Sequence, residues 1–137
     1  MLVQPYLFFE GRCEEALEFY SSAAGARIEA LMRFAESPEP PPEGMLPPGS
    51  ECKIMHASFR IGQTTLMASD GTCSGAPAFK GVALSLQARD ADEAARLFEA
   101  LGRGGHVIMP LGKTFYLPAF GKLADRFGVT WMVIVMP

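Results

Sequence analysis

The chain has 137 residues, 49% hydrophobic and 20% charged, with a formal net charge of −3 at pH 7, which fits one domain or two small halves sharing a core. The acidic balance, with a pI near 5.4, argues against a general nucleic-acid or membrane-surface binder, because phosphate recognition needs a basic patch. No apolar run approaches the roughly 20 residues of a membrane span.

The start, MLVQPYLFFEG, is apolar without a basic leader, and charge first appears at Glu10. That predicts no signal peptide and a cytoplasmic protein. Cys13, Cys52 and Cys73 are widely spaced with no C-x-x-C, which predicts reduced thiols and neither a disulfide framework nor a zinc site.

Residues 3–9 read as a strand bounded by Glu10-Gly11. Residues 13–24 carry Ala16, Leu17, Phe19, Tyr20 and Ala23 at helical spacing, with Glu14, Glu15 and Glu18 opposite, and Gly25 ends this amphipathic helix. Residues 27–34 read as a strand. Residues 36–51 then hold six prolines, which neither a helix nor a central strand accommodates. Two readings stay open for this stretch, a long surface loop and a lid or arm packing on a partner subunit.

Residues 53–61 alternate, with Met55, Ala57, Phe59 and Ile61 on one side and His56, Ser58 and Arg60 on the other. Gly62-Gln63 makes a two-residue turn, and residues 64–69 return with Thr65, Met67 and Ser69 on one face. A connector, DGTCSGAPA, begins at Asp70, which is placed to set the turn after its strand. The pattern then restarts. Residues 81–88 read as a strand, and Asp90 caps a helix over residues 90–101. Residues 106–109 begin a strand that Pro110 interrupts, residues 115–123 form another, and residues 129–135 a third, reached by a tight turn at Asp125-Arg126-Phe127-Gly128.

The order strand–helix–strand–strand–strand thus occurs twice, over residues 3–70 and 80–136, within one predicted domain. Such duplication means two units that each bury only half a core alone. Each sheet would set one face against its helix and leave the other free to curl around a cavity.

A duplicated βαβββ unit resembles the vicinal-oxygen-chelate superfamily, which includes glyoxalase I, extradiol dioxygenases and the bleomycin-resistance proteins. The segments PYLFFEG followed by EEALEFY, then MHASFRIG, LMASD and FGKLADRFGVTWMV, make the chain similar, within it, to the PhnB-like group. The resemblance implies an α+β fold in which two βαβββ repeats form curled mixed sheets with helices on the outer face. It also implies a homodimer, and exposed sheet edges give a physical reason for one. Enzymes of the superfamily hold a divalent metal with His and Glu from the first and last strands of each copy. Those positions fall here on Gln4 or Pro5, Met67, Gly81 and Met132, none of them a carboxylate or imidazole, so neither a metal nor another cofactor is predicted. The PhnB-like group is sometimes labelled methyltransferase-like, yet no glycine-rich nucleotide loop lies between a strand and a helix.

The concave face is then expected to carry His56, Ser58, Arg60, Thr65 and Ser69, with Tyr116 and Thr130 from the second copy. One cation, one imidazole, several hydroxyls and aromatic walls suit a small, anionic or oxygen-rich ligand. Three functions stay open: metal-free binding of a small molecule, an enzyme of unidentified reaction using His56 as acid or base, and a dimeric scaffold without a ligand. His56 also reads as a structural histidine, Arg60 as a salt-bridge residue ending its strand, and Trp131 as core.

Overall fold

The computed structural model describes residues 1–137, and its strands and helices divide between two units, Met1–Pro77 and Ala78–Pro137. The first contains β1 (Tyr6–Phe8), α1 (Cys13–Ala24), β2 (Arg27–Arg33), a 3-10 turn at Phe34–Glu36, β3 (Ile54–Ile61) and β4 (Thr64–Ser69). The second contains β5 (Ala83–Ala88), α2 (Ala91–Gly102), β6 (His106–Gly112), β7 (Ala119–Ala124) and β8 (Thr130–Val135). The sheet orders are β1-β4-β3-β2 and β5-β8-β7-β6. In each, the first strand runs parallel to the last and the other pairs are antiparallel. The duplication read from element order is therefore also a duplication of topology.

In the first unit, α1 buries Cys13, Ala16, Leu17, Tyr20 and Ala23, the stripe that a 3.6-residue period places on one side. Tyr20 stacks on Phe59 of β3, ring centroids 6.2 Å apart, and meets Phe9 at 6.1 Å. The β3–β4 hairpin turns at Gly62, whose φ of +58° is one that a side-chain-bearing residue resists.

The start of α1 has no local cap, because Arg12 at the N-cap position makes no side-chain cap bond. Asp70, at the end of β4, takes over that task. Its Oδ1 accepts from the backbone N–H of Gly11 at 2.9 Å and of Cys13 at 2.8 Å. Its Oδ2 accepts from Ile54 N–H at 2.7 Å. One carboxylate, 1% exposed, thus joins the β1–α1 turn, the start of β3 and the end of β4, and sits where the helix dipole favours negative charge.

In the second unit, Asp90 caps α2 by accepting from Glu93 N–H at 2.8 Å, as its position predicts. The turn after β7 is built on Asp125, whose Oδ1 accepts from Phe127 and Val129 N–H and whose Oδ2 accepts from Trp131 Nε1 at 2.9 Å. Trp131 is core, at 3% exposure. Gly121 in mid-strand β7 admits the neighbouring chain closely, since a Cβ there would stand 2.6 Å from Phe98 Cε2 and 2.9 Å from Leu111 Cα.

Three boundaries differ from the sequence reading. Paired strand in β1 covers only Tyr6–Phe8, shorter than residues 3–9. Strand β6 runs through Pro110, because it lies at the sheet edge and a register shift between Met109 and Gly112 absorbs the missing donor. Strand β7 starts at Ala119, not residue 115. Ahead of it, Thr114 N–H bonds Leu117 O and Thr114 Oγ1 accepts from Leu117 N–H at 2.9 Å, a closed turn that uses up groups a ladder would need. No helix is long and apolar enough to cross a membrane.

Candidate functional site

Period-two alternation sorts β3 into two faces. Ala57 and Phe59 are fully buried on the α1 side, whereas His56 and Ser58 are half-buried and Arg60 is exposed on the other. Antiparallel register sets Arg60 opposite Thr65 and Ser58 opposite Met67. Parallel register brings Tyr6 beside Met67 and Phe8 beside Ser69, and Met32 of β2 lies opposite His56. Directly opposed residues share a face, so the open face of the first sheet gathers Tyr6, Phe8, Met32, His56, Ser58, Arg60, Thr65 and Met67.

The Tyr6 hydroxyl lies 2.8 Å from His56 Nδ1. Tyr6 stacks on Phe8 at 4.9 Å and 22°, while Tyr6 and Phe8 keep 37% and 49% of their surface exposed. An aromatic platform thus stands open beside a hydrogen-bonded imidazole. Burial, with Cys13 adding to it, pushes the Tyr6 phenol above its ordinary pKa, so it stays protonated and able to donate at neutral pH. When it donates to Nδ1, the neutral imidazole carries its own proton on Nε2.

Arg60 ends its strand in an ion pair with Glu29 at 3.5 Å, and Thr65 Oγ1 donates to Glu29 Oε1 at 3.3 Å. Glu29 reaches this face because β2 shifts register between Ile28 and Ala30, and the extra residue of a bulge re-aims its side chain. Ser69 is 4% exposed; its Oγ accepts from Gly71 N–H at 2.9 Å and donates to Ile54 O at 3.5 Å. Its hydroxyl is thereby engaged within the backbone.

The remaining predicted residues belong to the second unit. Thr130 lies half-buried on the open face of β8, opposite Ala83 and Ala124. Tyr116 lies in the β6–β7 loop, 58% exposed, with its ring 4.7 Å from that of Phe115. His106 is exposed at the start of β6. Sequence reading missed Glu29, because no residue pattern announces a bulge. It also missed Lys122, which register places on the open face of the second sheet opposite Met132. Starting β7 at Ala119 would have exposed that alternation.

The positions where a superfamily metal would be held do not fit one. Met67 and Met132 bear thioethers on the open faces, opposite Tyr6 and Ser85. Gln4, Pro5 and Gly81 precede their strands. Thioether and glycine do not ligate a hard divalent cation, and no group of three or more His, Cys, Asp or Glu converges in either unit. Cys13 is equally unsuited to nucleophilic work despite its place at a helix start: burial, then Asp70 and Glu14, push its thiol up to about 12.

A family model described as 3-demethylubiquinone-9 3-methyltransferase matches residues 2–134. The protein YjdN of Escherichia coli K12 is 35% identical over 143 residues, covering 99% of this chain and 96% of that protein. Among solved structures, the protein PA1353 from Pseudomonas aeruginosa shares 42% identity with a TM-score of 0.84, covering 99% of this chain and 98% of that one. A PhnB protein from Bacillus cereus shares 28% identity with a TM-score of 0.79, covering 98% and 99%. A glyoxylase/bleomycin resistance protein/dioxygenase domain from Frankia matches at 12% identity and a TM-score of 0.66, over 98% of this chain and 94% of that one, a likeness of fold alone.

Proposed function

This chain belongs to the PhnB-like group of the vicinal-oxygen-chelate superfamily and has its α+β glyoxalase/bleomycin-resistance fold, and on that premise we propose that it binds a small, oxygen-rich molecule on the open sheet face without a metal ion. The observation that carries this reading is the 2.8 Å contact between Tyr6 and His56 beside the exposed Tyr6–Phe8 stack. The ring faces supply apolar contact, while His56 Nε2 and the Ser58 and Thr65 hydroxyls supply polar groups that fix orientation. Arg60 is already paired with Glu29, which favours a neutral, oxygen-rich ligand over an anionic one. Thr130 and Tyr116 belong to the second unit and are proposed as ligand contacts of that unit by itself.

Native mass spectrometry of freshly purified protein, with metal analysis of the same sample, tests this reading. The expected result is a small organic adduct, lost in Tyr6→Phe and His56→Ala, with no stoichiometric metal. Stoichiometric nickel, zinc, manganese or iron, or an adduct that His56→Ala retains unchanged, overturns it. The same contact favours a second reading, in which His56 moves a proton on the bound molecule and Tyr6 sets its tautomer. Conversion of the retained molecule on incubation, abolished in His56→Ala, would decide for that reading.

We also infer a homodimer in the cytoplasm. The edge strands β2 and β6 expose Ile28, Val107, Ile108 and Met109, apolar surface that an unpaired edge offers to a partner, and the three cysteines are free thiols. Light scattering is expected to give twice the chain mass of 14.8 kDa; a mass of one chain refutes the dimer.

A further inference from the structure

The negative charge of this protein is concentrated in one loop. Glu36, Glu39, Glu43 and Glu51 lie between Phe34 and Cys52, and no Lys, Arg or His accompanies them. Those four charges exceed the net −3 of the whole chain. Several glutamates elsewhere in this unit are compensated: Glu14 pairs with Arg33 at 2.7 Å, Glu15 with Arg12 at 3.0 Å and Glu29 with Arg60 at 3.5 Å. Glu43 and Glu51 form no ion pair or side-chain hydrogen bond.

Both residues line a hollow of about 310 Å³, whose apolar wall includes Phe34, Pro41, Leu46 and Pro47 and whose lining contains no basic residue. The hollow is built before any ligand arrives. Six prolines fix φ along the loop. Its base is closed by Phe34 N–H on Lys53 O and Ala35 N–H on Glu51 O, both 3.0 Å. Its far limb is pinned by Ser50, 6% exposed, whose Oγ donates to Pro47 O at 2.7 Å, and by Met45 N–H on Pro42 O at 3.1 Å. A long loop with closed ends, internal bonds and few free torsions loses little entropy when something enters it.

We propose that this hollow is a binding site for a small organic cation, an ammonium group carried on an apolar body. The apolar wall takes the body, and the two uncompensated carboxylates take the charge. None of the lining residues lies on the Tyr6–His56 face, so this site is separate from the one proposed above and stands or falls without it.

The test is a titration of ¹⁵N-labelled full-length protein with benzylammonium chloride, followed by amide chemical shifts. Benzyl alcohol, benzoate and ammonium chloride at matched ionic strength serve as comparisons. Benzylammonium is expected to move amides of residues 34–52 saturably, with the three comparisons at least about tenfold weaker. The double variant Glu43→Gln, Glu51→Gln is expected to lose about tenfold in affinity, in line with two exposed charge contacts. Its melting temperature should match that of the parent, since both side chains are exposed. Equal binding of benzyl alcohol would reduce the hollow to an apolar dent, and equal shifts with ammonium chloride would reduce it to ion screening. Either result, undiminished affinity in the double variant, or no saturable shift in this segment overturns the proposal.

Discussion

Asp70 offers the sharpest test of how the first unit is held together. Its carboxylate is 1% exposed and accepts three backbone amides at 2.7–2.9 Å. Cys13 and Ile54, which own two of those amides, are fully buried, so no water can replace the acceptor. Gly11 is half-buried, so its amide can find water. Asp70→Ala therefore orphans two buried donors at about 1–3 kcal/mol each and forfeits charge-assisted bonds. Part of that loss is returned, because a buried charge no longer needs desolvating. The net is about 3–5 kcal/mol, a large share of the ~5–15 kcal/mol typical of a domain. At this chain length it corresponds to a melting temperature roughly 10–20 °C lower. Asp70→Asn is the more discriminating change. Its carbonyl oxygen can keep Gly11 and Cys13, but its NH₂ then faces the Ile54 N–H, donor against donor, at a cost of about 2–3 kcal/mol. Urea unfolding combined with amide exchange reads both effects. Faster exchange should appear at Ile54 in the asparagine variant, and at both Ile54 and Cys13 in the alanine variant. Unfolding free energies within about 0.5 kcal/mol of the parent, or unchanged protection at Ile54, would refute the reasoning.

Gly121→Ala places a methyl 2.6 Å from Phe98 and 2.9 Å from the Leu111 backbone, and should cost about 1–3 kcal/mol in urea unfolding. Gly112→Ala, where a Cβ meets nothing within 4 Å, should be nearly neutral, and equal effects would contradict the close-packing account. Cys13 is buried and Cys52 exposed, so iodoacetamide at pH 8 should alkylate Cys52 in the native protein and reach Cys13 only on unfolding. Peptide mapping that finds the two equally labelled would contradict the raised thiol pKa. The same shift predicts a pH effect. The folded thiol holds its proton up to about 12, whereas the unfolded one loses it near its ordinary value. The stabilisation is therefore complete below that ordinary value and is lost as pH rises toward about 12. Thermal scans across alkaline pH should show a shallower decline for Cys13→Ala than for the parent, and parallel curves would remove Cys13 as a cause.

What local pattern can specify was legible in the chain. The 3.6-residue stripe over residues 13–24 and the cap at Asp90 gave the two helices. The alternation around Gly62-Gln63 gave the β3–β4 hairpin and, with it, the face that carries His56, Ser58, Arg60 and Thr65. These features depend on neighbours a few residues away, where backbone geometry alone decides which side chains share a side. Tertiary structure decided the rest, because the partners are distant in sequence. Tyr6 meets His56 across fifty positions only because β1 pairs in parallel with β4. Asp70 caps a helix that starts fifty-seven residues earlier; the one clue was that α1 lacks an acceptor of its own, an unmet need that any account of backbone donors exposes. Glu29 turned to neutralise Arg60 through a bulge, and Ser69 spent its hydroxyl on the backbone. The alternation thus named the face, but only the assembled sheet determined which of its groups already had partners, since hydrogen bonds between remote segments are set by strand pairing and not by the order of letters.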